Sequence, residues 1–272
     1  MLCEPKTMKS ILLTGSSGFV GKSLIKELKD SFHIVAPISA ELDLKNARDV
    51  DLFFSKNKVD WIINCAVKGG RRTKQDSVED FYNNIVCLDN LLSHVNHNCK
   101  LITFSSGAEI HKLNTFYGFS KKICTSMVKN KENIKNLRIY NVFGKLGMED
   151  SFVYTVILKC LKNEKVTVWE DYEYDTYPIC NVISLIKCLI EENNSAYEEI
   201  DCVYSQKYKL SEIAEIIKTL CCSKSEILIE KGHGKPYIGK AINFKKFSSK
   251  SIEEGFLDLI LSIKNEILIN KI

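Results

Sequence analysis

Over the first 165 residues, short apolar runs alternate with stretches whose apolar positions recur at helical spacing. KSILLTG reads as a buried strand, and the glycine-marked turn after it leads into the helix-patterned FVGKSLIKELKD. FHIVAPIS reads as a second strand. NARDVDLFFSKNK reads as a helix with Val50, Phe53 and Phe54 on one face, and DWIINCAV as a third strand. A helix is expected from Asp76 to about His97, followed by the strand KLITFSS. A helix from Tyr117 to about Asn130, the strand NLRIYNVFG and the helix SFVYTVILKCLKN complete this part. Strands that are apolar nearly throughout, separated by helices, imply a parallel sheet covered on both faces. With right-handed crossovers this is a doubly wound α/β fold.

The alternation then loosens. KVTVWED, YPIC, DCVYS and EILIEK are expected as short strands. NVISLIKCLIEEN, LSEIAEIIKTL (with Ser211 as its expected cap) and SIEEGFLDLILSIKNEI are expected as helices. There is no internal repeat or low-complexity tract. The division expected is a doubly wound domain over residues 1–165 and a small α/β lobe over 166–272, with some exchange of chain between them.

At about 150 residues per domain, 272 residues suit one large domain with a small lobe. The formal charge of +4 is spread along the chain, which excludes a dedicated nucleic-acid binder but suits a small phosphorylated ligand. Eleven cysteines fall at 3, 65, 87, 99, 124, 160, 180, 188, 202, 221 and 222, with no CxxC pair and no zinc-ligand spacing. The histidines at 33, 94, 97, 111 and 233 form no metal set, so no metal is expected. An odd cysteine count, no secretory signal and no apolar run near 18 residues point to a reduced cytoplasmic protein away from membranes.

Two segments carry chemistry. Thr14-Gly15-Ser16-Ser17-Gly18-Phe19-Val20-Gly21 follows a strand and opens a helix, the context a dinucleotide site requires. Gly15 would permit the tight turn, Gly18 the approach of backbone to a pyrophosphate, and Gly21 close packing of helix on strand. The helix N-terminus would offer N–H groups to the phosphates. The second strand normally ends in a carboxylate that binds the ribose of NAD; that place falls near Ser39, which leans the expectation to NADPH over NADH.

In Tyr117-Gly118-Phe119-Ser120-Lys121, Tyr and Lys four apart share a helix face. A nearby ammonium favours phenolate, lowering a pKa of about 10, so Tyr117 is expected as a proton donor to a carbonyl. The pattern alone is usually a solvated helix face; its place after a strand ending Ser105-Ser106-Gly107-Ala108-Glu109 gives it weight. Ser106 is the better candidate to hold the reacting oxygen, with Ser105 still open.

In order and spacing, GxxGxxG, NNIVCLDNLL, the Ser/Tyr/Lys set and LRIYNVFG resemble the extended short-chain dehydrogenase/reductase superfamily. The branch resembled is the NAD-dependent epimerase/dehydratase family, in its nucleotide-sugar 4-keto reductases of the dTDP-4-dehydrorhamnose reductase and GDP-fucose synthase type. The resemblance implies a Rossmann domain whose cofactor residues are Gly15, Ser17, Gly18, Phe19, Val20, Gly21, Ser39, Asp43, Leu44, Cys65, Ala66 and Val67, with Tyr117 and Lys121. Asp43-Leu44 would lie beside the adenine and Lys121 on the nicotinamide ribose. Asn84, Ser106 and Asn141 are the implied substrate contacts; Lys68, at the carboxyl end of the third strand, and Trp169 and Tyr174, as stacking aromatics, are read from the residues as further ones. Arg71 and Arg72 read as a solvated loop, and Trp169 and Tyr174 read equally well as ordinary aromatics.

Departures from the family narrow the chemistry. Gly107 and Ala108 stand where dehydratases place Asp and Glu, and Ala108 stands where fucose synthases place Cys. Glu109, one place further on, has no assigned role. The diphosphate-clamping Arg of an Arg-Asp-Phe segment is replaced in Tyr174-Asp175-Thr176, with Lys235 or Lys240 as substitutes. The resemblance thus implies an NAD(P)H-dependent reductase of a nucleotide-linked 4-keto-6-deoxy sugar, serving surface-polysaccharide biosynthesis, with a nucleotide-diphosphate sugar as partner and a homodimer as assembly. The short lobe favours it over a 4-epimerase with tightly bound NAD. A non-catalytic nucleotide sensor or scaffold is the reading from another class.

Overall fold

The computed structural model describes residues 8–71, 74–147, 149–192, 199–232, 234–241 and 249–269. Cys3, Arg72 and His233 lie outside these residues. The chain runs β1 (Ser10–Thr14), α1 (Phe19–Leu28), β2 (His33–Val35), α2 (Ala47–Lys56), β3 (Trp61–Asn64), α3 (Val78–Leu92) and β4 (Lys100–Ser106). It continues through α4 (Ala108–His111), α5 (Phe116–Val128), β5 (Ile134–Ile139), β6 (Asn141–Phe143), α6 (Phe152–Leu161), β7 (Val166–Val168) and β8 (Thr176–Pro178). It ends with α7 (Ile179–Glu192), β9 (Glu199–Cys202), α8 (Leu210–Cys221), β10 (Ile227–Ile229) and α9 (Ile252–Ile269).

Six strands form the main sheet in the order β2-β1-β3-β4-β5-β9, and the pairs β1–β2, β1–β3 and β3–β4 are parallel. This is the doubly wound α/β sheet expected from the apolar runs. Ile11, Leu12, Leu13, Ile62 and Ile63 have no exposed surface, because helices cover both faces. The order in which strands are added reverses between β1 and β3, and such a switch opens a crevice at the carboxyl ends of the strands. Trp61 begins β3 buried, with the Lys100 ammonium 5.8 Å from its ring centre.

Several boundaries differ from the sequence pattern for local reasons. FHIVAPIS yields only His33–Val35, since Pro37 has no N–H to give to a ladder. NLRIYNVFG breaks at Tyr140, whose hydroxyl donates to Asp201 Oδ2 at 3.2 Å, so β5 and β6 enter different sheets. Ser211 is not the cap of α8. The cap is Lys209, whose N–H donates to Glu212 Oε2 at 2.7 Å, while Asp171 takes both the N–H and the hydroxyl of Ser211. The four-residue α4 is too short to leave a periodic signal.

The chain divides into two compact units. One holds the residues up to Arg138 with Leu189–Ile200, and the other Ile139–Cys188 with Asp201 onward. In the first, Leu12, Val50, Ile62, Leu88, Leu91 and Leu101 form a core cluster. In the second, α6, α8 and α9 pack around Val153, Ile157, Ile213, Ile217, Phe256 and Ile260, beside the two-stranded parallel pairs β6–β8 and β7–β10. Phe256 has no exposed surface and its ring lies 4.9 Å from that of Phe143. Phe256→Ala should cost about 3–5 kcal/mol, because the cavity cannot collapse between two helices and a strand. Urea unfolding would register this as a lower midpoint; a midpoint within error of the parent would refute the core placement.

Candidate active site

The turn between β1 and α1 is shaped by what cannot fit there. Gly15 has φ +67°, and a Cβ on it would lie 2.5 Å from the Cys65 carbonyl carbon, so backbone meets backbone directly. A Cβ on Gly21 would lie 2.3 Å from the Gly15 carbonyl oxygen. Gly18 N–H donates to Gly15 O at 3.1 Å, and Gly18 caps α1 with no side-chain acceptor for the helix N–H groups. Ser17 is exposed, and Phe19 and Val20 open the helix half-buried. Across the turn, Asn64 Oδ1 accepts from Thr14 Oγ1 at 2.7 Å and from Ala66 N at 3.2 Å, fixing the end of β3. Cys65 and Ala66 are half-buried and Val67 is exposed; burial pushes the Cys65 thiol far up. Ser39 stands exposed in the turn after β2. Glu41 Oε2 accepts from Ile38 N at 3.0 Å, a carboxylate near that turn that strand-end spacing did not single out. Asp43 accepts from Lys45 N at 3.1 Å, and the Leu44 carbonyl accepts from Asn90 at 2.8 Å.

Ser106, Tyr117 and Lys121 come together. Ser106 ends β4, and Thr115 caps α5 by accepting from Gly118 N at 3.0 Å, which starts the helix just ahead of Tyr117. The Ser106 hydroxyl accepts from Ala108 N at 3.2 Å and lies near enough to the Tyr117 phenol to favour its ionised form. Lys121 is buried, its Nζ 5.8 Å from the centre of the Tyr117 ring and donating to the Phe104 carbonyl at 2.7 Å. The expected lowering of the phenol's pKa is corrected here. Burial of the hydroxyl holds Tyr117 above its ordinary value, and the nearby Ser106 hydroxyl only partly offsets it. Burial likewise lowers Lys121, opposed by Cys124, Glu109 and Cys65.

Ser105 points elsewhere, and the reason is Glu109. Glu109 is 1% exposed; its Oε2 accepts from Ser105 Oγ at 2.5 Å and from Thr125 Oγ1. Its Oε1 accepts from Arg138 Nε at 2.6 Å, and Arg138 also reaches Glu199 at 3.1 Å. Asn136 donates to Thr125 at 3.1 Å and closes the network. A signal for this pair existed in the sequence: an acid beside apolar residues after β4 and an arginine between Leu137 and Ile139 in β5.

Asn84 is 8% exposed and its carboxamide is engaged within the protein. It accepts from Lys68 N at 2.9 Å and donates to Lys68 O and Ser120 Oγ at 3.0 and 3.1 Å. The remaining expected substrate contacts lie in the second unit. Asn141 donates to Thr176 Oγ1 at 3.3 Å. Trp169 is 68% exposed after β7. Tyr174 is half-buried in a cluster with Phe152, Tyr172 and Tyr237, at centroid distances of 6.3, 6.1 and 5.9 Å. Beside it, Asp175 is paired with Lys207 Nζ at 2.8 and 2.7 Å and accepts from Gly239 N at 2.7 Å. Burial pushes the Asp175 carboxyl up, and those donors draw it back. Lys207, unmarked in the sequence reading, is thus the cation at this segment; Lys235 and Lys240 are exposed.

A family model described as the NAD dependent epimerase/dehydratase family matches residues 11–200. The chain belongs to this family. Among curated relatives, it is 30% identical to a UDP-glucose 4-epimerase of Cyamopsis tetragonoloba over 132 residues, 38% of this chain and 37% of that one. The chain spans less than two fifths of the length of the curated relatives it matches. Among solved structures, a GDP-D-glycero-L-gluco-heptose synthase of Campylobacter jejuni, crystallised with NADPH, superposes with a TM-score of 0.79. Its identity is 15%, with 96% of this chain and 99% of that one covered. A dTDP-4-dehydrorhamnose reductase of Bacillus anthracis in complex with NADP gives a TM-score of 0.78 and 21% identity, over 95% and 99% of the two chains. These likenesses show the fold.

The epimerase/dehydratase family uses a nicotinamide dinucleotide, and the β1–α1 turn fits one. Gly15 and Gly21 let the turn pack backbone against backbone, and the first N–H groups of α1 have no side-chain cap to satisfy them. Gly21→Ala would press a methyl carbon on the Gly15 carbonyl and lift α1 from the turn. Fluorescence titration should then show dinucleotide binding weaker by about tenfold or more; an unchanged Kd in a folded variant would refute this placement.

Proposed function

We propose that the protein is an NADPH-dependent reductase of a nucleotide-linked 4-keto-6-deoxy sugar. The observation that carries this is the Lys121 ammonium beside the Tyr117 ring, 5.8 Å from its centre, with the Ser106 hydroxyl near enough to the phenol to ease its ionisation. The family supplies the redox cofactor, and the glycine turn with α1 would hold its pyrophosphate. When bound in reduced form, the cofactor supplies a hydride to the keto carbon.

The chain's own residues handle the proton. Tyr117 donates its phenolic proton to the carbonyl oxygen as negative charge develops there. Its raised pKa keeps the phenol protonated near neutrality, the state a donor requires. Ser106 holds the same oxygen in line with the phenol. Lys121 keeps a positive charge near the phenolate left behind, and Glu109 helps hold that charge against the cost of burial. Gly107 and Ala108 offer no acid/base pair for elimination of water, which supports a plain reduction.

NADPH is favoured over NADH by Ser39 at the place of the ribose carboxylate and by the NADPH and NADP held in the two structural relatives above. The ten described cysteines are all free, which supports a reducing compartment such as the cytoplasm. A 4-epimerase working through the same three residues is the second reading, favoured by the identity to the Cyamopsis epimerase.

Mixing the protein with NADPH and a panel of 4-keto sugar nucleotides should give stoichiometric loss of absorbance from the reduced nicotinamide. Interconversion of a sugar nucleotide without that loss would instead favour the epimerase. Tyr117→Phe should lower turnover by about 10²–10⁴-fold with dinucleotide binding retained, and full turnover would sink the mechanism and favour a scaffold. Ser106→Ala should cost far more activity than Ser105→Ala; the reverse order would reassign the serine.

A further inference from the structure

The loop that follows β3 carries two adjacent glycines with positive φ, Gly69 at +87° and Gly70 at +75°. A Cβ on Gly70 would lie 2.9 Å from both Cε1 and Cζ of Tyr117, so this turn meets the reacting edge of the phenol as bare backbone. One on Gly69 would lie 2.8 Å from Asp76 Oδ1 and 3.5 Å from Tyr117 Cβ. Two adjacent glycines lose more backbone freedom on ordering than any other pair, so a defined turn against the ring needs something to hold it.

Asp76 supplies it. Its Oδ1 accepts from Gly70 N at 2.7 Å, and its Oδ2 accepts from Tyr117 N at 3.3 Å, in the first turn of α5 where N–H groups have no helical partner. One carboxylate therefore bridges the turn and the helix that carries Tyr117. The other end of the loop is tied to the same helix. Asn84 holds both backbone groups of Lys68 and donates to Ser120 Oγ, and Ser120 in turn donates to the Tyr117 carbonyl at 2.8 Å.

We propose that Asp76 is a positioning residue that clasps the Gly69–Gly70 turn onto the Tyr117 ring, so that the turn walls one side of the space where a carbonyl meets the phenol. The role rests on the assignment of Tyr117 as proton donor. It gives the double glycine a purpose: any side chain there would enter the space of the ring. The groups facing the phenol are Asp76 from the loop, Ser106 from β4, and Lys121 and Cys124 from its own helix. Of these, Asp76 brings a negative charge, which makes the phenol harder to ionise. A donor must be protonated, so activity falls as pH rises through the phenol's pKa. Removing the charge of Asp76 should move that fall to lower pH.

The test uses the full chain with Asp76→Asn, which keeps an acceptor but loses the charge, and Asp76→Ala, which loses both. The Tyr117 titration is followed by NMR of ring-labelled tyrosine, with the Tyr117→Phe spectrum assigning the signal. In Asp76→Asn it should move down by about half a pH unit, and the alkaline fall of NADPH oxidation should move with it. In Asp76→Ala, amide exchange at Gly70 should quicken about tenfold or more, and turnover of whichever 4-keto sugar nucleotide the parent reduces should drop about tenfold. A phenol titration, Gly70 exchange rate and turnover within twofold of the parent in both variants, with Tyr117→Phe inactive, would overturn the clasp alone. Full activity in Tyr117→Phe would overturn the donor assignment, and the positioning role with it. The titration and exchange measurements need no substrate.

Discussion

A carboxylate with almost no access to water has to be satisfied on every side, and Glu109 is the place where this constraint organises the first unit. Its partners come from three elements, and one of them reaches a fourth. Ser105 is next to last in β4, Thr125 lies on α5, Arg138 is on β5, and through Arg138 the network reaches Glu199 at the start of β9. Each of these must be in register for the charge to be paired. The network takes Ser105 out of play and leaves Ser106, the next residue along the strand, to face Tyr117. The same carboxylate sends its field toward Lys121.

Much of the fold was legible because its strongest signals are periodic. The apolar strands at Ile11–Leu13 and Ile62–Ile63 could only be buried on both faces, and the glycine turn sits where a helix must approach a strand too closely for a Cβ. What escaped was local competition. Pro37 shortened an edge strand, Tyr140 drew one apolar run into two sheets, and Asp171 claimed the hydroxyl of the serine that looked like a cap. The partners of Tyr140 and Ser211, Asp201 and Asp171, are both far off in sequence.

The candidate site was legible to a different depth. The four-residue spacing of Tyr117 and Lys121 follows from helix geometry and needed no tertiary knowledge. The sign of the tyrosine's shift did need it, since desolvation of the hydroxyl outweighs a cation 5.8 Å from the ring centre that is already bonded to a carbonyl. Asn84 shows the same limit. Its place on the helix was readable, but its engagement with Lys68 and Ser120 depends on a loop whose path only the folded chain defines. Lys207 and Asp76 carry no motif at all, because an ion pair or a clasp between distant segments leaves no spacing behind.

The two tryptophans divide between the units. Trp61 is 3% exposed at the start of β3 in the first, and Trp169 is 68% exposed after β7 in the second. Indole emission shifts to longer wavelength as water reaches the ring. The native spectrum is therefore a sum of a blue component from one unit and a red component from the other. As the first unit opens, the blue component moves toward the red one, whereas Trp169 already emits as a solvated indole and changes little. Emission wavelength consequently reports the first unit, and the second has to be followed by another signal. The placement of two side chains thus gives the protein an optical label for one half of its own structure.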